Sequence, residues 1–579
     1  MLILLSSISF SPQKVQAVDT TQLPPSNFLL SQKLPPPQDL QPPPIPSPLP
    51  SPELPQPLPP PAELFPPSAP TPTPNEPPLG NFPQTIVVER FEVVGSTVFS
   101  PQELAKVTAE FTKRPISLTE VYQARSKITE LYLRNGYITS GAYIPPQTIQ
   151  SGVVKIQVVE GRLEDIQVIG TRRLNPNYVR SRLAIATSAP LNRQRLLEAL
   201  QLLQLNPLIQ NVSAELSAGS RTGSSVLEVK IREAKTFSSQ IVLDNGRAPS
   251  VGSFRRRLQL NEANLLGLGD DLTIAYTNTD GSNSFDASYT LPLNPRNGTL
   301  TFNYGTTSST VIEPPFNVLD IQSASRYYEV TFRQPIVQTP TQEFALGLTA
   351  SRRETEASYS PLGEQLPFPA LGADEQGSTK VSAFRFFQEW TSRNSREVIA
   401  LRSQFSLGID VLNPTINQNP PDSRFFAWQG QAQWVRLLAP ETLLLLRLNM
   451  QLASRTLLPL EQFALGGQDS VRGYRQDYLL TDNGTFASAE LQVPILRLPQ
   501  IGSTLQAIPF VDFGVGWNSS DTENPNPNTL AAVGIGLRWS QGDRFTLRLD
   551  WGVPLISVDS SQRTLQEKGL YFSLIYNPF

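Results

Sequence analysis

The chain has 579 residues, with 47 basic and 50 acidic side chains, a formal net charge of −3, and neither cysteine nor histidine. Thiol nucleophiles, disulfides, Ser-His-Asp triads and most zinc sites are thereby excluded, and the balanced charge leaves no electrostatic footprint for nucleic acid. No carboxylate pair stands out from the charge background, so the expectation is a protein that is not an enzyme and uses no metal or cofactor.

The opening residues MLILLSSISF form a short apolar run, and VQA at Val15–Ala17 supplies the small-residue end of a secretory leader. A signal peptide is expected over residues 1–17; the run lacks a basic start, which puts the expected start codon upstream. Residues 18–84 read as a disordered proline-rich linker, since residues 21–83 hold 25 of the chain's 55 prolines. Proline fixes φ and removes a donor, so this tract predicts an extended spacer of about 3.1 Å per residue. A ligand for SH3-like partners is the sharper alternative to a plain tether. Beyond the leader, no stretch approaches the roughly 18 uncharged apolar residues of a spanning helix. The leucine-rich segment Leu196–Leu208 is interrupted by Glu198, Gln201, Gln204, Asn206 and Pro207. In a membrane, this chain would have to be a barrel.

Residues 85–160 and 161–235 read as two copies of one small α+β unit. The first opens with TIVVERFEVVG, a strand on which Val87, Phe91 and Val93 share a face. In SPQEL, Ser100 is the N-cap, Pro101 takes the first helical position and Glu103 completes a capping box. A second helix runs through LTEVYQARSKITELYLRNGY, with Val121, Ile128, Leu131 and Leu133 at roughly helical spacing, and stops at Asn135-Gly136. The strands GAYIPPQ and GVVKIQVVEG close the unit. The second copy repeats the order: strand RLEDIQVIG, a helix from Asn175, helix LNRQRLLEALQLLQLN, strands around Val212–Leu216 and SSVLEVKIRE. The paired phrases FEVVGSTVFSPQEL and IQVIGTRRLNPNYV support a duplication. Each copy leaves a strand edge free to pair with an extended polypeptide; a rigid spacer is the plainer reading of the same pattern.

From residue 237 the pattern becomes sixteen strands separated by Asn, Gly, Asp and Pro turns. They start near Phe237, Ser253, Asp271, Ser284, Thr299, Ser325, Gln342, Lys380, Arg396, Ser423, Glu441, Thr485, Leu505, Leu530, Arg544 and Leu570. In Leu505–Trp517, Val511, Phe513, Val515 and Trp517 share one face, while Phe510, Asp512, Gly514 and Gly516 share the other. In Arg544–Gly552, Phe545, Leu547, Leu549 and Trp551 alternate with Thr546, Arg548 and Asp550. One apolar face and one polar or small face, in segments of ~10 residues, predicts a transmembrane barrel over residues 237–579. A soluble sandwich alternates too, but calls for fewer strands and leaves the secretory start unexplained.

By this alternation Asp512 points into the barrel. On TFASAELQVPIL, Ala487, Ala489, Leu491 and Val493 face lipid, while Ser488, Glu490 and Gln492 face in, which makes Glu490 a second lumen carboxylate. The loop between strands eleven and twelve, about Ala453 to Asn483, is far longer than a hairpin needs and carries Val471, Arg472, Gly473 and Tyr474. Folded inward, it would bring Arg472 to Asp512 as a bidentate latch, with Gly473 turning the tip and Tyr474 packing on the wall. A surface turn with incidental charge fits the spacing equally well.

VRGY at Val471–Tyr474, FVDFG at Phe510–Gly514, two preceding α+β repeats and sixteen strands together resemble the outer-membrane polypeptide-transport superfamily. Within it the chain resembles the two-partner secretion transporters, the haemolysin activation and secretion group. DNGRAPSVG (Asp244–Gly252) and NLLGLGDDL (Asn264–Leu272) are similar to that group's first barrel hairpin, and coverage is about residues 85–579. The resemblance implies that the repeats are periplasmic POTRA (polypeptide-transport-associated) domains, at 85–160 and 161–235. They would capture an unfolded exoprotein by its N-terminal secretion domain and pass it through the barrel. It also implies that Arg472 contacts Asp512, with Phe510 and Gly514 beside it on the wall. Outer-membrane lipid and the barrel-assembly machinery would be the further partners of a monomer. No phosphate-binding loop is present, so secretion without ATP is expected. The family's N-terminal plug helix has only Val18–Gln32 to occupy. The C-terminal strand LYFSLIYNPF alternates through Leu570, Phe572, Leu574 and Tyr576, which shifts the assembly signal from Phe579. The alternatives are a barrel-assembly insertase of the same superfamily and a passive porin; the two repeats speak against the porin.

Overall fold

The computed structural model describes residues 61–65, 85–361, 363–519, 522–559 and 563–579. The expected signal peptide, the segment considered for a plug and most of the proline tract lie outside the described residues. Within the tract, Pro61–Leu64 form one helical turn, and Leu64 and Phe65 are buried in an apolar core described below. This corrects the expectation of a spacer without core contacts. PAELF is a stretch in which proline stands only at the first helical position, where its missing N–H costs nothing.

Each α+β unit has the order strand, helix, helix, strand, strand. In the first, Arg90–Val94 pairs in parallel with Val153–Val159, which pairs antiparallel with Gly141–Tyr143. In the second, Arg162–Ile169 pairs in parallel with Ser224–Glu233, which pairs antiparallel with Ile209–Ala218. The middle strand in sequence is therefore an edge strand in both sheets. The duplication extends to the loops. Gly95 and Gly170 have φ of 87° and 88°, and a Cβ at either would lie 2.5 or 2.3 Å from a carbonyl oxygen of the central strand. Ser100 and Asn175 then cap the first helices, each followed by proline. A glutamate after or at the end of the central strand ties each loop down. Glu160 accepts the N–H groups of Thr97 (2.7 Å) and Val98 (3.2 Å), and Glu233 those of Arg172 (2.6 Å) and Leu174 (2.9 Å).

Two apolar assignments change. The opening strand breaks at Val88-Glu89: Val88 is buried and Val87 is 50% exposed, because Ile86–Val87 leaves the sheet to pair with Pro115–Ile116. On helix Leu118–Arg134 the buried stripe is Val121, Ala124, Ile128 and Tyr132, while Leu133 is 47% exposed. Tyr132 replaces it because its ring packs in the core while its hydroxyl donates to Glu160 at 2.8 Å.

Sixteen antiparallel strands close a barrel. They are β1 (Phe237–Asp244), β2 (Arg255–Ala263), β3 (Asp271–Asn278), β4 (Ser282–Pro292), β5 (Thr299–Thr310), β6 (Gln322–Gln338), β7 (Gln342–Tyr359) and β8 (Ser378–Arg393). The ring continues with β9 (Glu397–Gly408), β10 (Phe426–Ala439), β11 (Thr442–Ala453), β12 (Asn483–Leu498), β13 (Ser503–Trp517), β14 (Thr529–Gln541), β15 (Phe545–Pro554) and β16 (Leu570–Tyr576). Phe237, Asp271, Thr299, Gln342 and Leu570 open strands as the alternation predicts. On β13, Val511 and Phe513 are exposed outward and Phe510 and Asp512 are buried; on β15, Leu549 and Trp551 are out and Asp550 is in. On β16, Leu570 and Tyr576 face out while Tyr571 is buried inside, and the Phe579 ring lies beside that of Phe237 (6.0 Å between centroids). Inside, paired charges line the wall, among them Arg333–Glu389 (2.7 Å) and Arg353–Glu329 (3.0 Å). β16 meets β1 over only Ser573↔Asp244 to Tyr576↔Ile241.

The two ends differ. Short turns such as 339–341 and 440–441 lie at the end that carries the α+β units, and long loops at the other, an asymmetry usual for outer-membrane barrels. The second unit is fastened to the short-turn end. Arg173 bonds Glu262 (2.7 Å), Thr236 (3.0 Å) and the Asn264 carbonyl (3.2 Å), and Arg182 bonds Asn297 (2.8 Å).

Candidate functional site

Residues 454–482 leave the long-loop end and fold into the lumen. A short hairpin, Phe463–Leu465 with Leu479–Thr481, stiffens the loop and carries VRGY at its inner end. Val471 packs there with Leu465, Leu479 and Phe486. The interior wall is cut to receive it. Gly514 lies where a Cβ would come within 3.0 Å of the Val471 and Leu465 methyls, and Gly552 where it would meet the Gly473 nitrogen at 2.7 Å. Gly473 itself has φ of 99°, a conformation that side chains rarely adopt.

Arg472 is 1% exposed, so the surface-turn alternative does not hold. Its Nε and Nη2 donate to the two oxygens of Asp512 at 2.7 and 2.8 Å, and its backbone N–H adds a third bond to Asp512 at 3.2 Å. Its Nη1 lies 2.8 Å from Glu490 and 3.9 Å from Asp550. The guanidinium carbon stands 3.4 Å from the centre of the Phe510 ring. That ring lies flat because Gly534 on β14 leaves room; a Cβ there would meet it at 2.3 Å. Ser488 donates to Asp512 at 2.7 Å and fixes the carboxylate. Arg447 (3.2 Å) and Arg548 (3.3 Å) also reach Glu490, and Arg548 reaches Asp550 at 2.7 Å. Three cations thus face three carboxylates. A buried charge is costly alone and tolerable only in such a neutral, hydrogen-bonded set.

The structure brings together every residue singled out from sequence: Val471, Arg472, Gly473 and Tyr474 on the loop, Asp512, Phe510, Gly514 and Glu490 on the wall. It adds others. Tyr474 donates to the Ala531 carbonyl at 2.8 Å and accepts from Ile556 at 3.2 Å, while Tyr571 on β16 accepts the Gly473 N–H at 3.0 Å and donates to the Tyr474 carbonyl. The loop is also pinned elsewhere. Glu461 at its root meets Arg385 on β8 at 2.6 Å, and Arg475 forks onto Glu313 in the β5–β6 loop at 2.9 and 3.2 Å. Inward-facing parity already marked Ser488 and Arg548; Tyr571, Gly534, Gly552, Glu461 and Glu313 were not singled out. The arrangement holds a strut across a polar lumen by a few strong contacts.

The profile of the family described as haemolysin secretion/activation protein ShlB/FhaC/HecB matches residues 223–539, and that of the ShlB-type POTRA domain matches residues 86–161. The outer membrane transporter CdiB of Escherichia coli O6:K15:H31 is 25% identical over 492 residues, covering 82% of this chain and 79% of its own. The heme/hemopexin transporter protein HuxB of Haemophilus influenzae is 24% identical over 475 residues, covering 78% and 80%. The solved structure of CdiB from Escherichia coli superposes with a TM-score of 0.66 at 22% identity over 88% of this chain and 92% of that one, a likeness of fold.

Proposed function

Since the chain belongs to the haemolysin secretion/activation family of outer-membrane transporters, with its POTRA region in the periplasm, we propose that it captures an unfolded exoprotein and passes it through the barrel without ATP. The observation that carries this reading is the strut itself. A loop spans a charge-lined lumen, held by Arg472 to Asp512 and Glu490; in this reading it closes the pore at rest and is displaced as a unit. A passive porin would have no use for it. Both α+β units act as POTRA domains in this reading, and their edge strands, Gly141–Tyr143 and Ile209–Ala218, take the cargo in extended form by adding it as a further strand. The second unit, fastened at Arg173 and Arg182, hands the cargo to the mouth. Folding of the exoprotein outside supplies the free energy, and a monomer suffices.

The test is deletion of residues 85–235. The barrel should still insert and the exported partner should remain in the periplasm. Export at the normal level would sink capture by these domains. Normal export accompanied by loss of other outer-membrane barrels would instead mark the chain as an insertase.

A further inference from the structure

The outer wall of β5–β8 is charged near its rim at the long-loop end. On β6 the even-numbered side chains face lipid: Tyr328, Val330 and Phe332 are exposed, while Ser325 and Glu329 are buried on the lumen side. The register sets Arg326 beside Glu354 of β7 and Glu354 beside Lys380 of β8, so cation, carboxylate and cation form one row across three strands. In the next row towards the short-turn end Tyr304, Tyr328 and Arg352 are aligned, and after them Phe302, Val330 and Phe384 begin the apolar band. From Tyr328 to the exposed Ile336 a strand tilted as in such barrels rises about 20 Å, most of an apolar height of about 25 Å. The charged row therefore lies at headgroup level in the external leaflet.

Its charges do not balance within reach. Glu354 takes Arg326 at 2.6 Å and Arg352 at 3.0 Å, and Lys380 makes no ion pair among the described residues. Glu356 lies one row further out and pairs with none of the three. Arg352 is spoken for: it also donates to Ser382 at 3.0 Å and to the Asn413 carbonyl at 3.3 Å. Arg326 is not. Its side chain is 60% exposed and donates through Nε, while its two Nη groups have no partner among the described residues. By contrast Arg256, near the same rim, is matched by Asp280 at 2.7 Å. We propose that Arg326 and Lys380 form a binding site for an external-leaflet lipid whose headgroup carries two phosphates. The two cations stand two strands apart, roughly 10 Å, so each takes one phosphate. Arg326 offers its open fork and Lys380 a compact charge. Tyr304 and Tyr328, with ring centres 5.3 Å apart, border the headgroup, and the acyl chains lie along Phe302, Val330 and Phe384. The site requires only the outer-membrane location and is independent of the capture reading.

The experiment is native mass spectrometry of the full chain in neutral detergent, titrated with lipid A, an acylated disaccharide with two phosphates, and with its monophosphoryl form. Each variant is first checked for heat-modifiable mobility, which shows a folded barrel. Lipid A should bind the wild type roughly tenfold or more tightly than it binds Arg326→Ala/Lys380→Ala, since each surface cation contributes attraction to an anionic lipid. Arg256→Ala should bind as the wild type does. The monophosphoryl form should bind the wild type about threefold or more weakly than lipid A. Equal affinity of wild type and Arg326→Ala/Lys380→Ala, equal affinity for the two lipids, or the same loss in Arg256→Ala overturns the proposal. Arg326→Lys/Lys380→Arg keeps both charges and should stay within about threefold of the wild type. A loss there as large as that of the alanine pair would place the effect in packing and overturn phosphate recognition. Millimolar inorganic phosphate should leave lipid A bound; its complete displacement would mark a plain anion site and overturn the lipid assignment.

Discussion

Replacing Arg472 by alanine removes a cation shared by Asp512 and Glu490, both about 1% exposed, and leaves the neutral cluster of three cations and three carboxylates with one uncompensated negative charge. Breaking a buried pair from one side costs about 3–5 kcal/mol, so loop docking should weaken by roughly two to four orders of magnitude. Asp512→Ala should cost less, since Arg472 keeps Glu490 at 2.8 Å. The double variant leaves Arg447 and Arg548 facing Glu490 and Asp550, again neutral. Its loss should fall short of the sum of the single losses by about 1–3 kcal/mol. Arg472→Lys keeps the charge but gives up the two-point grip on Asp512 and the flat stack on Phe510, and should land between wild type and alanine. The assay is hydrogen exchange of residues 454–482 in the detergent-solubilised barrel, with export measured in parallel at matched membrane levels. Strictly additive losses, or unchanged loop protection in Arg472→Ala, would refute the reasoning.

Glu461→Gln should fray the root of the loop, because Arg385 loses a charge-assisted partner at 2.6 Å in a site where both side chains are under a tenth exposed; exchange should rise around residues 455–462 before it rises at VRGY. Gly552→Val would set a Cβ 2.7 Å from the Gly473 nitrogen, so the strut should leave its seat while the barrel still inserts, seen as retained heat-modifiable mobility with increased trypsin cleavage near Arg472. Glu160 titrates below the ordinary carboxylate range: burial opposes its charge, but bonds from Thr97, Tyr132 and Val98 outweigh it. With its folded pKa below the unfolded value near 4.3, its contribution is full above that value and is lost as pH falls through the folded one. Acid unfolding of the soluble first unit should therefore lose part of its steepness below about pH 4 in Glu160→Gln, followed by circular dichroism; an unchanged profile would remove this glutamate from the account.

The barrel was legible because a strand writes its two faces into the sequence with period two, and that parity alone pointed Asp512, Glu490 and Arg548 inward. Parity does not say which inward residues meet across a lumen. That depends on strand tilt and on the path of a long loop, so the contacts of Arg472 with Glu490 and Phe510, of Gly473 with Tyr571, and of Glu461 with Arg385 were not readable. Glycines such as Gly534 and Gly552 are ambiguous in a strand, where they signal a turn or bulge as readily as a seat for another segment. Among the helices, the cap at Ser100 and the helix start at Asn175 were readable because such signals are local. The choice of Tyr132 over Leu133 was not, since it was made by Glu160 some 28 residues away. Composition concealed the docked Leu64-Phe65, because a tract averaging so much proline gives no hint of one turn that something else holds.

A hoop under circumferential load parts at its poorest joint, and here that joint is β16 against β1, four residue pairs long, while β6 and β7 run together from Gln322↔Ser358 to Gln338↔Glu343. The lumen loop lies across this joint like a clasp. Gly473 is bonded to Tyr571 on β16, and Gln476 to Gln566, whose side-chain amide donates in turn to the Arg247 carbonyl beyond β1. Withdrawing the loop would therefore remove its two ties, to Tyr571 and to Gln566, beside the ring's thinnest place, so a displacement that clears the bore would also loosen that joint.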